Sequence, residues 1–427
     1  MSIESLYELY SAHPQIQTDT RKLQAGDLFF ALKGDRFDGN TFAKQALEAG
    51  AVAAIIDDPK AYIDTRTIVV EDVLKTLQAL ARYHREQLRI PVIAITGSNG
   101  KTTTKELVHA VLSSTYKTYT TEGNLNNHIG IPMTILKIRP DAEIAVIEMG
   151  ANHQKEIEGY CQYALPTHGL ITNIGKAHLE GFGGIDGVKK GKGELFDYLR
   201  EHKGTVFVFK DQEALRDLSR NMAHKTTYGL SDADITGSIV SAKPFLSVQI
   251  NHPEIGIINS ALVGDYNYPN ILAAVAVGLY FKVPAFKIKK AIEAYTPTNS
   301  RSQMMHVGTN EIILDAYNAN PSSMQAAIKN FSALPAEKKI LFLGAMAELG
   351  EESTAEHQKL IDLIQSYKWY QVILVGDEFK KVQHPYLNFN NSGEAAEWVK
   401  KNPAEKASIL IKGSRSSKME KVLEGFS

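Results

Sequence analysis

Short apolar runs alternate with amphipathic stretches along most of this chain, and that rhythm predicts its elements. The runs at 27–32 and 51–56 read as strands, and 41–49 reads as the helix between them. Pro91 opens a second unit, with an apolar run at 92–95, a glycine-containing turn and a helix through Leu112. Further strands are expected at 145–147 and 169–172, the pattern of a parallel sheet covered by helices. From 205 to 263 the chain turns β-rich, as a decoration of the second unit, before a helix containing 271–280. Thr296-Pro-Thr-Asn-Ser300 reads as a linker. Beyond it, strands at 312–314, 340–343, 372–375 and 408–411 are separated by helical stretches and predict a third α/β unit. The fold class is therefore α/β, with three domains at 1–88, 89–297 and 298–427.

Composition narrows this picture. A chain of 427 residues is too long for one ordinary core. A hydrophobic content of 44% with 22% charged residues describes a globular protein. The net charge of -1 argues against nucleic acid or an anionic membrane as the main partner, while leaving room for a local phosphate pocket. The single cysteine, Cys161, excludes an internal disulfide framework and fits a reducing cytoplasm. The first residues, Met1-Ser-Ile-Glu-Ser5, lack the basic stretch and apolar run of a secretory signal. The most apolar segment, 271–281, is too short to span a bilayer and is expected to be a buried helix. A cytoplasmic protein without membrane insertion is expected.

The most informative motif is Thr96-Gly-Ser-Asn-Gly-Lys-Thr102, followed by Thr103, between a strand and a helix. In a phosphate-binding reading, Gly97 and Gly100 let the backbone N–H groups of Ser98 and Asn99 approach phosphates, and the helix N-terminus adds its positive dipole end. Lys101 would then reach the β- and γ-phosphates, and the Thr102 hydroxyl would ligate magnesium. The alternative is an ordinary glycine turn with a solvated lysine. No Asn-Lys-x-Asp run accompanies the loop, which weakens a GTPase reading. Glu148 closes an apolar strand, where a carboxylate either projects into the crevice at the sheet edge or is simply solvated. His178 follows another strand and reads either as a ligand or as an ordinary hydrogen-bonded histidine. The amides of Asn267 and Asn270 suit adenine's donor–acceptor edge, and equally suit a helix cap.

Taken in order, these and further motifs resemble the Mur ligases. Besides the loop at 96–104, the match runs through Gly123-Asn-Leu-Asn-Asn127 with Gly130-Ile-Pro132, Glu148-Met-Gly-Ala-Asn-His153, Asp315-Ala-Tyr-Asn-Ala-Asn-Pro321, Gly344-Ala-Met-Ala-Glu-Leu-Gly350 and Lys412-Gly-Ser-Arg415. Several of these are similar to the family member that adds D-alanyl-D-alanine. The resemblance implies a central ATPase domain built on a parallel sheet with a phosphate loop. It implies an N-terminal domain for the UDP end of the substrate and a Rossmann-like C-terminal domain that closes over ATP. The implied reaction joins D-alanyl-D-alanine to UDP-N-acetylmuramoyl tripeptide through an acyl phosphate, in peptidoglycan precursor synthesis, releasing ADP and phosphate.

The resemblance also implies roles for individual residues. Magnesium, as two ions, would take Thr102, Glu148, His178 and a carbamylated Lys192, from Gly191-Lys-Gly-Glu194. Cations there would neutralise charge building between the γ-phosphoryl group and an attacking carboxylate. Lys189 and Lys190 compete with Lys192 for the register. Arg301 and Asp315 would reach the phosphates and ribose from beyond the linker, so closure is expected to complete the site. Thr20 and Arg21, with the loop at 34–39, would meet the UDP end, since guanidinium suits a diphosphate. A monomer is expected. The competing readings are a sibling ligase adding another amino acid, a small-molecule kinase on the same loop, and a non-catalytic binding relative.

Overall fold

The computed structural model describes residues 1–35, 37–298 and 300–426, so Arg36 of the 34–39 loop and Asn299 of the 296–300 linker lie outside the described residues. The first sheet is parallel throughout and has the order 16–17, 28–30, 53–56, 67–69. Its central strands Leu28–Phe30 and Ala53–Ile56 are buried on both faces, which explains their unbroken apolar runs. The segment expected as a helix at 41–49 starts as a 3-10 turn, Gly39–Phe42, and becomes α-helical only over Ala43–Glu48. The long helix Val73–Gln87, capped by the Asp72 side chain, packs one face against the helices Gly130–Leu136 and Glu156–Ala164 of the next unit.

The second sheet has nine strands, with Val92–Thr96 between Ile144–Glu148 and His168–Ile171. The β-rich stretch does not sit apart as a decoration. Strands Thr205–Phe209 and His224–Gly229 continue the parallel sheet, Ile235–Ala242 joins it in parallel, and Phe245–Ile250 and Gly256–Val263 extend it antiparallel. The helix Tyr268–Tyr280 lies against helix Lys101–Ser113 with nearly every residue of its middle buried, as its uniform apolar character requires. Among the described residues no helix is long and apolar enough to cross a membrane.

The third sheet has six strands in the order 303–307, 310–315, 408–412, 339–344, 371–375, 387–389. Four of them fall on the expected runs. The other two, Gln303–Val307 and Leu387–Phe389, are edges only partly buried, so their side chains carry little periodic signal. The strand ends Glu148 and Asp315 bring the second and third sheets' C-terminal edges to one cleft.

Candidate active site

A cavity of about 730 Å³ opens at that cleft. Its floor is the loop after strand Val92–Thr96. Gly97 has φ +140°, and a Cβ there would stand 2.0 Å from the Thr172 hydroxyl, so the loop's close approach to the neighbouring strand admits only glycine. Thr172 in turn donates to Asn99 O at 2.6 Å, while Asn173 Oδ1 accepts from Asn99 N at 3.0 Å. Ser98 Oγ donates to Gly175 O and accepts from Gly175 N. The loop is thereby held in shape by residues 172–175. Gly100, at φ +76°, precedes helix Lys101–Ser113, whose N-terminus has no side-chain cap, an arrangement able to receive an anion.

Lys101 Nζ curls back onto the loop, donating to Gly97 O at 2.8 Å and Ser98 O at 3.3 Å. Burial lowers its pKa, with Arg301 adding to the effect and the Glu148 and Glu348 carboxylates opposing it. Thr102 and Thr103 line the cavity beside it. Thr96 and Gly97 do not line the cavity, and the Thr96 hydroxyl is spent on Met149 O at 2.7 Å.

Glu148 is buried at its strand end, with Oε1 accepting from Asn126 Nδ2 at 2.7 Å. Its Oε2 is buried with no hydrogen-bond partner among the described residues. His178 lines the same cavity from a left-handed backbone position, φ +53°. Lys192 lies wholly buried on helix Ile185–Glu201, where Nζ donates to Ala151 O at 2.8 Å and sits 4.8 Å from the Phe182 ring centre. Burial above all, then the nearby Lys101, pushes its pKa well below the usual lysine range. Lys189 pairs with Asp217 at 3.1 Å and Lys190 is exposed, so of the three lysines only Lys192 is buried. The flanking glycines are packing positions: a Cβ on Gly191 would strike Phe182 at 2.4 Å, and one on Gly193 would meet Leu218 at 2.9 Å.

Asn267 and Asn270 face the cavity with part of their amides already used. Asn270 donates to Asn267 Oδ1 and accepts from Thr104 Oγ1 at 3.0 Å, which braces the loop from behind. Neither amide makes a side-chain cap at the start of helix Tyr268–Tyr280. Tyr266 beside them shares a 2.9 Å hydrogen bond with Ser302.

The third unit already touches the loop. Asn320 Nδ2 donates to Asn99 Oδ1 at 2.7 Å, and Lys176 Nζ pairs with the buried Glu356 at 2.6 Å. Arg301 stacks 3.6 Å over the Tyr317 ring, with its Nε buried and unpaired among the described residues. Asp315 accepts from Ser302 N at 3.3 Å and forms a 2.5 Å ion pair with Lys412.

Models of the Mur ligase family match three successive stretches. They are the Mur ligase family catalytic domain at residues 14–85, the Mur ligase middle domain at 95–278 and the Mur ligase glutamate ligase domain at 300–415. The chain belongs to the Mur ligase family. The UDP-N-acetylmuramoyl-tripeptide–D-alanyl-D-alanine ligase of Bacillus subtilis is 35% identical over 96% of this chain and 92% of its own length. A crystal structure of MurF from Acinetobacter baumannii superposes with a TM-score of 0.86 at 31% identity, covering 98% of this chain and 97% of that one. MurF ligase from Thermotoga maritima, solved in complex with ADP, gives a TM-score of 0.86 at 26% identity, covering 97% of each chain.

The structure gathers most of the expected residues at this one cavity, but not all. Arg21 is exposed and clamped to its neighbour Asp19 at 2.9 and 2.8 Å, and neither it, nor Thr20, nor the wholly buried Lys192 lines the cavity. Asn126, Tyr317 and Asn320 do line it, though sequence reasoning gave them no individual role. All three lie inside the quoted motifs, and a polar residue within such a motif was the available signal. Glu348 also lies inside a quoted motif, but its contact with His178 joins two units and no local pattern announces it.

Proposed function

We propose that this chain is the ATP-dependent ligase that joins D-alanyl-D-alanine to UDP-N-acetylmuramoyl tripeptide, acting as a cytoplasmic monomer in peptidoglycan precursor synthesis. One observation carries the reading. An uncapped helix N-terminus, Lys101 and the orphaned Glu148 oxygen face a single cavity, and Arg301 and Asp315 complete its wall from the third unit. An identity of 35% over nearly the full length to a ligase of that name supports the substrate class.

In this account the loop amides and Lys101 hold the β- and γ-phosphates, with Lys101 exchanging the carbonyls of Gly97 and Ser98 for phosphate oxygens. Asp315 accepts the ribose hydroxyls, Asn267 and Asn270 meet the adenine edge, and the unpaired Arg301 Nε turns to phosphate. Thr20 and Arg21 serve the UDP end from the first unit. The substrate carboxylate attacks the γ-phosphorus, ADP leaves, and the dipeptide's neutral amine attacks the acyl carbon. The carbon–oxygen bond to phosphate then breaks and the new amide nitrogen sheds its proton.

Magnesium fits Glu148 Oε2, the Thr102 hydroxyl and His178, where it would neutralise phosphoryl charge. Among the described residues no three histidine, cysteine, aspartate or glutamate side chains converge into a ready cage. Lys192 supplies the missing oxygens in this proposal. Its depressed pKa favours the free amine, whose lone pair attacks carbon dioxide and whose N–H proton departs, leaving a carbamate.

The test is phosphate release from ATP with each combination of nucleotide peptide and acceptor. Release should require both UDP-N-acetylmuramoyl tripeptide and D-alanyl-D-alanine. Equal turnover with the dipeptide precursor and a single free amino acid would assign a sibling activity instead, and rapid turnover without acceptor would favour a kinase.

A further inference from the structure

His178 and Glu348 come from different units, and each holds a non-glycine backbone in the left-handed region, at φ +53° and φ +60°. Such a conformation is uncommon for either residue type and survives where surrounding structure enforces it. Here the two are packed together. The Glu180 N–H donates to Glu348 O at 3.4 Å, and a Cβ on Gly350, itself at φ +52°, would come within 3.2 Å of Glu180. The 346–350 loop of the third unit thus lies directly on the 178–180 turn of the second.

Their side chains meet at this seam. Glu348 Oε2 lies in direct contact with His178 Nδ1, and among the described residues no group hydrogen-bonds that nitrogen in line. Protonated at Nδ1, the imidazole can donate to the carboxylate it touches. A histidine whose Nδ1–H is held this way offers Nε2 as the bare nitrogen, and the ring can no longer turn freely. His178 lines the nucleotide cavity, whereas Glu348 does not.

We propose that Glu348 is a positioning residue: delivered by the third unit, it fixes the tautomer and orientation of His178 so that Nε2 faces the nucleotide cavity. This rests on the ligand role proposed above for His178. Its consequence is that contact between the units completes the metal-facing nitrogen as well as the nucleotide wall. The carboxylate is half exposed, so removing it leaves no buried charge unpaired and the fold is expected to survive.

The test compares Glu348→Ala, Glu348→Gln and His178→Ala with the parent. The first readout uses metal-free, nucleotide-free protein labelled with ¹⁵N-histidine, the His178 signals being identified by their loss in His178→Ala. The parent should carry its ring proton on Nδ1, Glu348→Ala should show mixed tautomers, and Glu348→Gln, whose amide oxygen still accepts, should restore the parent signature. The second readout is manganese affinity in the presence of ADP, followed by electron paramagnetic resonance. Glu348→Ala should weaken it by roughly 10- to 100-fold, with most of the loss recovered in Glu348→Gln. An unchanged tautomer and unchanged manganese affinity in Glu348→Ala, beside a clear loss in His178→Ala, overturns the positioning role alone. Unchanged manganese affinity in His178→Ala overturns the ligand role and this inference with it.

Discussion

Replacing Asp315 with alanine should do two separable things, because the carboxylate serves two partners. Its Oδ2 pairs with Lys412 Nζ at 2.5 Å, and the Lys412 side chain is only 2% exposed against 16% for Asp315. Without Asp315 the nearest remaining acceptor for that ammonium is Asn318 O at 3.5 Å, too long to compensate. Breaking a buried pair from one side costs about 3–5 kcal/mol, and partial access from the cavity puts this case near the lower end, at about 3 kcal/mol. Loss of the 3.3 Å bond from Ser302 N adds at most about 1 kcal/mol. Asp315→Ala should therefore destabilise the third unit by about 3–4 kcal/mol. Asp315→Ala/Lys412→Met, which removes both charges, should recover at least about 2 kcal/mol of that loss. Both tryptophans, Trp369 and Trp398, lie in the third unit, so tryptophan fluorescence during urea unfolding reports its stability directly. ADP titration supplies the second half: affinity should fall in the single variant and stay low in the restabilised double variant. A loss below about 1 kcal/mol, or no recovery in the double variant, would refute the buried-pair argument, and normal ADP affinity in the double variant would refute the ribose contact.

Two further outcomes follow from the loop and the buried lysine. Gly97→Ala combines a φ of +140° with a Cβ only 2.0 Å from the Thr172 hydroxyl, so it should cost about 3 kcal/mol or more and raise KM for ATP, measured by thermal unfolding and initial rates; a near-neutral change would mean that the loop relaxes freely. Lys192→Met should lose most turnover yet raise stability at neutral pH in carbon dioxide-free buffer. Because the folded pKa is depressed, the unfolded chain binds more protons between the folded and unfolded values, so the parent gains stability as pH rises through that window and the variant's advantage shrinks. Urea midpoints across that range check it, and a pH-independent difference would contradict the burial argument.

The parts of the site legible in sequence are those where one short segment carries its own geometry. The loop at 97–102 is glycine, lysine and threonine between a strand and a helix, and Glu148 ends an apolar run. Helix Ile185–Glu201 was harder to read, because Gly187, Gly191 and Gly193 look like loop residues by propensity. They serve close packing instead, most sharply at Gly187, where a Cβ would fall 1.8 Å from Phe182 O. What no segment carries alone is contact between segments distant in the chain. The ion pair of Asp315 with Lys412, the bond from Asn320 to Asn99 and the meeting of Glu348 with His178 each join residues far apart in the chain. Arg21 marks the opposite limit: its charge suits a diphosphate, yet in this structure it is held by Asp19 two residues away.

The central claim is that ATP activates a substrate carboxylate which an amine then captures. Its most direct test is an isotope transfer. The tripeptide's terminal carboxylate is labelled with ¹⁸O and turned over with ATP and D-alanyl-D-alanine, and the released inorganic phosphate is weighed by mass spectrometry. Attack of that carboxylate on the γ-phosphorus predicts one ¹⁸O in each phosphate, together with a pentapeptide product that retains the other. Phosphate free of label, with ATP consumed and product formed, would contradict the account.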